Sequence, residues 1–248
     1  MNLKKLFGKK EEVPRCSVVI VAAGSSQRMG ADKIMGALGG LPVLVRTIFP
    51  FQNCDLVKEI VVVTRRDKLE HVADLRQKYG LNKVSKIICG GTTRMESALA
   101  GVSETDPKCN LIAIHDGARP LVTEALIRRA IYAAQEHLAV VPVLKSVDTL
   151  KTVDENGVIV GSVDRESTVR IQTPQVFEAD LIKGALTYAV KNALPLTDDG
   201  SAVERMGVQV HTVEGESENL KLTVPQDRVL AEAILLDGGD VYADRPWL

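Results

Sequence analysis

No apolar segment of this 248-residue chain approaches the ~20 residues that span a bilayer; the longest runs, such as "EIVVVT" and "LIAIH", have the length of strands. A membrane protein is therefore not expected. The opening "MNLKKLFGKKEE" lacks the apolar core of a secretory signal, so export is not indicated and a cytoplasmic location is the default expectation. An excess of charge of one sign is missing too: 31 basic against 32 acidic residues leave no global field to draw in nucleic acid or a membrane surface. Cys16, Cys54, Cys89 and Cys109 are widely spaced with no C-x-x-C pair, which argues against a zinc or redox centre and for reduced, small apolar fillers. Two phosphate-binding signatures are absent. Ala31-Asp32 stand where a Walker A motif needs Lys followed by Ser or Thr, and no G-x-G-x-x-G fingerprint occurs.

A hydrophobic content of 45% in a chain of this length supports a substantial core. Residues 14–238 read as a single domain between short tails at 1–13 and 239–248, with no repeat or low-complexity tract. Strand-like runs near 17–22, 59–64, 84–88, 111–115 and 139–143 alternate with amphipathic stretches near 67–79, 93–102 and 123–137. That order predicts an α/β fold: βαβ units forming a mainly parallel, Rossmann-like sheet covered by helices. Ligands of such sheets sit beyond the carboxyl ends of the strands. The loops at 23–33, 89–94 and 115–120 are thus the ones to read for chemistry.

One segment breaks the rhythm. In "VDTLKTVDENGVIVGSV", from Val147 to Val163, two β-prone stretches flank Asn156-Gly157, a type I′ hairpin signal. Neither stretch carries a long apolar face, and a lone hairpin is marginal in water. An arm within about 145–171 that packs on a second copy of the chain is expected, the alternative being a hairpin lying flat on its own sheet.

After the first strand, "VIVAAGSSQRMGADK" turns from β-branched residues into a loop of small residues, Ala22, Ala23, Gly24 and Ser25, followed by Arg28 and Lys33. Backbone donors beside two cations suit a triphosphate; a solvated surface pair is the plainer reading. After the third, "CGGTTRMES" supplies Gly90 and Gly91 for close backbone approach, then Arg94 and Ser97, or simply a turn and helix cap. After the fourth, "IHDGARP" puts Asp116 at a strand end, with Gly117 and Arg119 behind it. A carboxylate there suits Mg²⁺, usually held by one or two carboxylates plus substrate phosphates, although a loop cap would look the same.

Together, "AAGSSQRMGADK", "GGTTRMES", "HDGARP", "VDRESTVRIQTPQVF", "TDDGSAVE" and "ENLKLTVPQD" resemble, in order and spacing, the 2-C-methyl-D-erythritol 4-phosphate cytidylyltransferases, over roughly residues 16–235. The resemblance implies a homodimeric enzyme with an exchanged β-arm that uses CTP and a divalent ion such as Mg²⁺. It implies Arg28 and Lys33 as catalytic cations, Asp116 as the metal carboxylate, and Ala22, Ala23, Gly24, Ser25, Gly90, Gly91, Arg94, Ser97, Gly117 and Arg119 around the nucleotide. Arg165, Lys221, Thr149, Thr197 and Asp198 match the sugar-phosphate side, with a local structural hydrogen-bonding role as the alternative for Asp198, Asn219 and Thr223. The chain departs from the family pattern at Gly24-Ser25-Ser26 and Asp32-Lys33-Ile34, where the loop is about two residues short, and at Val169-Arg170, where an aromatic is usual. Ribitol 5-phosphate cytidylyltransferase shares most motifs and is the rival reading; Ala22-Ala23-Gly24 and Gly117-Ala118-Arg119 look closer to the methylerythritol enzymes. A nucleotide-binding regulator without turnover is the non-enzyme alternative, and it would be signalled by loss of Arg28, Lys33 or Asp116, all of which are present.

Overall fold

Val18, Val19 and Ile20 are wholly buried in strand β1 (Cys16–Val21), as a strand covered on both faces requires. A computed structural model describes residues 13–24 and 34–238. A small hairpin of β2 (Ala37–Leu38) and β3 (Leu41–Pro42) stands apart from the main sheet. In that sheet β1 lies between β4 (Val57–Thr64) and β6 (Leu111–Asp116), parallel to both, and β5 (Val84–Cys89) extends it beyond β4. On the other side, β11 (Gln175–Glu178) is inserted antiparallel between β6 and β7 (Ala139–Lys145). β10 (Val169–Ile171) pairs antiparallel with the far half of β7, and β12 (His211–Glu214) pairs parallel with it.

Alternate residues of the strands feed two apolar layers. Val18, Ile20, Ile60 and Val62 pack under α1 (Val43–Asn53), α2 (Leu69–Lys78) and α4 (Glu124–His137). Val19, Val63, Ile112 and Ile114 pack under α3 (Arg94–Ser103), α5 (Ala179–Lys191) and α6 (Asp199–Arg205). Each fully buried Val or Ile of this kind contributes ~1.5–3 kcal/mol. Gly101 of α3 sits directly on the sheet, where an added Cβ would lie 2.3 Å from Val19 Cγ1. α7 (Pro225–Gly238) anchors Ala231 in a third cluster with Leu38, Val43 and Leu222. Among the described residues no helix is long and apolar enough to cross a membrane.

The expected parallel sheet is present, with additions that its sequence pattern conceals. α1 is buried continuously from Val43 to Phe51, Arg46 and Thr47 included, and contains Pro50, which reads in the sequence as a helix stop. The arm forms, as β8 (Lys151–Val153) and β9 (Ile159–Ser162), which among the described residues pair only with each other. Its turn differs from the expectation. Only Gly157 takes a positive φ, +79°, whereas a type I′ turn needs it at both central residues. Asp154 holds the turn instead, its Oδ1 accepting from the N–H groups of Asn156 and Val158.

Candidate active site

The chain leaves β1 and β6 side by side, so residues 22–24 and 117–120 start from adjacent strand ends. Gly117 donates its N–H to the Val21 carbonyl at 2.9 Å, and a Cβ there would meet Ala22 Cβ at 3.0 Å. Thr47 of α1 secures the same loop, donating to the Gly117 carbonyl at 3.1 Å. Next to it, Gly90 donates to the Thr64 carbonyl at 2.8 Å, and a Cβ on Gly90 would come within 2.6 Å of Ser97 Oγ and 2.7 Å of Ala23 Cβ. α3 then starts from a capping box in which Thr93 accepts from the Glu96 N–H and Glu96 accepts from the Thr93 N–H. Such a cap, worth ~1 kcal/mol, fixes the direction in which Arg94 leaves the helix.

Asp116, at the end of β6, is the electrostatic centre. Its Oδ2 receives Lys221 Nζ at 2.8 Å and faces Arg119 Nε at 3.5 Å, while Oδ1 receives Arg94 Nε at 3.3 Å. Burial alone would raise its pKa; the charges of Arg94, Lys221 and Arg119 outweigh burial and hold the carboxyl below the usual range. Arg94 is also bound by Asp199, whose two oxygens accept from Nη1 and Nη2 at 2.9 and 2.8 Å. Asp199 is 1% exposed, and burial pushes its carboxyl up against the pull of Arg94.

A polar layer beneath the centre ties its parts together. The Asp116 N–H donates to Thr173 Oγ1 at 3.1 Å, and that hydroxyl in turn meets His115 Nδ1 at 3.0 Å. With Thr173 donating to Nδ1, the remaining ring proton sits on Nε2, directed at the Arg119 carbonyl at 3.3 Å. Burial pushes the His115 pKa down to about 3, so the ring is neutral and structural. Asn219 Nδ2 donates to the Thr173 carbonyl at 2.8 Å, Arg119 Nη1 donates to the Asn219 carbonyl at 2.7 Å, and Leu222 N–H donates to the Ala118 carbonyl at 2.8 Å. These bonds carry the 219–222 segment against β6 and deliver Lys221 to Asp116.

The result is a cleft of about 350 Å³. Of the residues singled out from sequence, it collects Arg94, Asp116, Arg119, Thr197, Asp198 and Lys221. Ala22, Ala23, Gly24, Gly90, Gly91 and Gly117 are on the adjoining strand-end loops; Ser25, Arg28 and Lys33 lie outside the described residues. Ser97 is buried and its hydroxyl is employed in the loop, accepting from the Gly91 N–H at 3.2 Å and donating to the Thr93 carbonyl at 2.9 Å. Asp198 caps α6: Oδ1 accepts from the Ser201 N–H and Oδ2 from Gln175 at 2.8 Å, so both oxygens are occupied. Thr223 likewise serves its own segment, donating to the Lys221 carbonyl at 3.0 Å. Thr149 and Arg165 are exposed on the arm segment and do not line this cleft; Arg165 meets Glu166 at 3.8 Å. Sequence reading missed Asp199, Thr173 and Gln175. A second acid beside Asp198 was the available signal, but a buried ion pair with a partner over a hundred residues away leaves no spacing to read.

Among the described residues one group of acids and a thiol outside this cleft has metal-like spacing: Cys54, Asp55 and Glu124. Arg128 already neutralises both carboxylates of that group. Asp116 offers a different donor set, a single ionised carboxylate lining the cleft, both of whose oxygens are met by cations suited to phosphates. One such oxygen, once released by its cation, would suit a divalent ion that takes its other ligands from a bound nucleotide.

A parallel-sheet core, glycine-bearing loops at the strand ends and a cation-ringed carboxylate describe an α/β nucleotidyltransferase. The family model of 2-C-methyl-D-erythritol 4-phosphate cytidylyltransferase matches residues 16–237. The proteins of that name from Caldanaerobacter subterraneus subsp. tengcongensis and Symbiobacterium thermophilum are 43% and 41% identical over 222 residues, 88% of this chain in both cases and 98% and 92% of theirs. The crystal structure of 4-diphosphocytidyl-2C-methyl-D-erythritol synthase from Anaerococcus prevotii matches with a TM-score of 0.80 at 31% identity, over 91% of this chain and 100% of that one. The crystal structure of the cytidylyltransferase from Thermus thermophilus matches with a TM-score of 0.73 at 32% identity, over 88% of this chain and 98% of that one. The chain belongs to the 2-C-methyl-D-erythritol 4-phosphate cytidylyltransferase family.

Proposed function

We propose that this chain transfers CMP from CTP to 2-C-methyl-D-erythritol 4-phosphate, a step of non-mevalonate isoprenoid synthesis. A phosphate oxygen of the sugar substrate attacks the α-phosphorus of CTP, the bond to the bridging oxygen breaks, and pyrophosphate leaves with the product 4-diphosphocytidyl-2-C-methyl-D-erythritol. The observation that carries the reading is the cluster of Arg94, Arg119 and Lys221 around one ionised carboxylate in the cleft. The reaction brings anions together, so positioning and charge compensation dominate its catalysis.

In this reading the loops of Ala22, Ala23, Gly24, Ser25, Gly90, Gly91 and Gly117 receive the nucleotide, with Arg94 and Arg119 beside it. Arg28 and Lys33 compensate the charge that builds on the α-phosphate. Asp116 holds a divalent ion such as Mg²⁺, which when bound screens the triphosphate. Lys221 and Thr197 face the sugar phosphate from the same chain. The arm is the support for a homodimer: among the described residues its two strands pair only with each other, and Val153, Val158, Ile159 and Val160 are each about 60% exposed. A second copy covering this surface would let Thr149 and Arg165 reach the partner's cleft.

The test is direct. Purified protein with CTP and Mg²⁺ is offered 2-C-methyl-D-erythritol 4-phosphate or ribitol 5-phosphate, and pyrophosphate release is followed. The expected result is turnover with the former at a kcat/KM at least about tenfold above the latter, a discrimination of ~1.4 kcal/mol. Preference for the ribitol substrate, or no release with either, would overturn the reading.

A further inference from the structure

The three cations around Asp116 are not equivalent. Arg94 is clamped by two hydrogen bonds to Asp199, and Arg119 is anchored on the Asn219 carbonyl. Lys221 Nζ has no such second tether: its one ion-pair partner among the described residues is Asp116 Oδ2, at 2.8 Å, on a side chain 39% exposed. The ammonium is a point charge on a flexible stem, free to turn its donors elsewhere, whereas the two guanidinium groups are held in place.

Charge gives this freedom a direction. Arg94, Arg119 and Lys221 all face the single carboxylate of Asp116, while Asp199 pairs with Arg94. A divalent cation entering beside Asp116 would be a fourth positive group on that one carboxylate while Lys221 still holds Oδ2. Asp116 is 7% exposed, so its charge is costly to leave without a close counter-ion. An exchange of one cation for another answers both requirements. A phosphate dianion in the cleft is the species that makes the exchange favourable, because it offers Lys221 a stronger partner than a carboxylate shared with two arginines.

We propose that Lys221 is a two-position residue which couples the two substrates: without ligands it occupies the Asp116 oxygen, and the sugar phosphate draws it off, opening that oxygen to the cation that accompanies the nucleotide. The inference rests on the roles given to Asp116 and Lys221 in the proposed function. Coupling through one exchanged ion pair is reciprocal, so the metal–nucleotide complex tightens the sugar phosphate by the same factor.

The experiment uses α,β-methylene-CTP, in which the bond that must break is blocked, and measures its binding calorimetrically to the full-length protein. The readout is the gain in analogue affinity produced by Mg²⁺. In the wild type that gain rises about 5- to 50-fold when 2-C-methyl-D-erythritol 4-phosphate is present. In Lys221→Met and Lys221→Gln the larger gain is reached without the sugar phosphate, because Oδ2 is already released. Reading the gain rather than the affinity itself removes the general loss of attraction that follows deletion of a positive charge. A wild-type gain that ignores the sugar phosphate, with both ligands bound, overturns the coupling and leaves the proposed reaction standing. A gain in both Lys221 variants that stays at the lower wild-type value overturns it as well. Failure of the wild type to bind either ligand would instead remove the functional reading, and the coupling with it.

Discussion

Asp199 grips Arg94 through both carboxylate oxygens although the two residues stand 105 positions apart, and the same guanidinium touches Asp116. One guanidinium, through two ion pairs, therefore joins α3, α6 and the end of β6. Removing one partner strands a buried charge. Asp199→Ala should cost about 3 kcal/mol, the low end for a broken buried pair, since Arg94 is 31% exposed. The double variant Arg94→Met, Asp199→Leu should regain most of that stability in urea unfolding while turnover stays low. Wild-type turnover in the double variant would reduce the pair to scaffolding.

His115 should give stability a pH dependence of its own. Its pKa falls from 6.5 to about 3 on folding because the ring is buried. Between those values the unfolded chain binds a proton that the folded chain does not, so stability is complete above pH 6.5 and is lost as pH falls towards 3. The slope from one such group is about 1.4 kcal/mol per pH unit. His115→Gln, which keeps a donor for the Arg119 carbonyl, should flatten the wild-type slope between about pH 6 and 4.5 by about that amount. Asp116 acts lower: its depressed pKa contributes stability above the ordinary carboxylate range that is lost only at more acid pH. Identical slopes for the two proteins would show that another group is responsible.

Two glycines separate folding from function. Gly101→Ala places a methyl within 2.3 Å of Val19 and 2.7 Å of Val63, far from the cleft. It should cost ~1–3 kcal/mol by overpacking and leave the KM for CTP unchanged at a temperature where the variant is folded. Gly90→Ala collides instead with Ser97 and Ala23, so its main effect should be a KM for CTP raised about tenfold or more, which steady-state kinetics would detect.

Arg28 and Lys33 carry the chemical step in the proposed reaction. Removing one donor aimed at developing charge typically lowers the rate ~10²–10³-fold. Arg28→Ala and Lys33→Ala should each do so in kcat at saturating CTP, with the unfolding midpoint unaltered. Near-normal kcat in a folded variant takes that residue out of the mechanism.

On the arm, Val158 and Val160 are 59% and 63% exposed, so lysine at both positions should change the stability of an isolated chain by no more than ~0.5 kcal/mol at each site. In a dimer built on the arm the same charges would be buried. Sedimentation velocity should show a dimeric wild type and a monomeric double variant of reduced activity. A wild type that sediments as a monomer while fully active would eliminate the shared site.

The parallel core was legible because Val18 to Val21, Val61 to Val63 and Ile112 to Ile114 are short apolar runs between polar turns, and α2, α3 and α4 carry apolar stripes of helical period. α1 was not, since residues 43–51 are buried on every side and Pro50 reads as a stop. β11 was hidden by its position: "QVFE" is too short to suggest a strand between β6 and β7. The cations and Asp116 were readable from their places at strand ends and from the family's motifs. Their support was not. Apart from Asn219, which the family's motifs marked as a structural bonder, Thr173, Gln175 and Asp199 act through hydrogen bonds across distant parts of the chain, and no local pattern encodes such bonds.

The place of β11 also dictates an order of assembly. β6 and β7 do not pair with one another; each pairs with β11, which follows them in the chain. A nascent chain emerging from a ribosome can align β1, β4, β5 and β6 early, but it must carry β7 with an open edge until residues 175–178 arrive to fill the gap. Exposed strand edges invite pairing with other chains. The stretch of synthesis between β7 and β11, which includes the exposed arm, is accordingly an interval in which this protein is open to aggregation and a chaperone would have something to protect, and the other edge of β7 waits longer still, for β12.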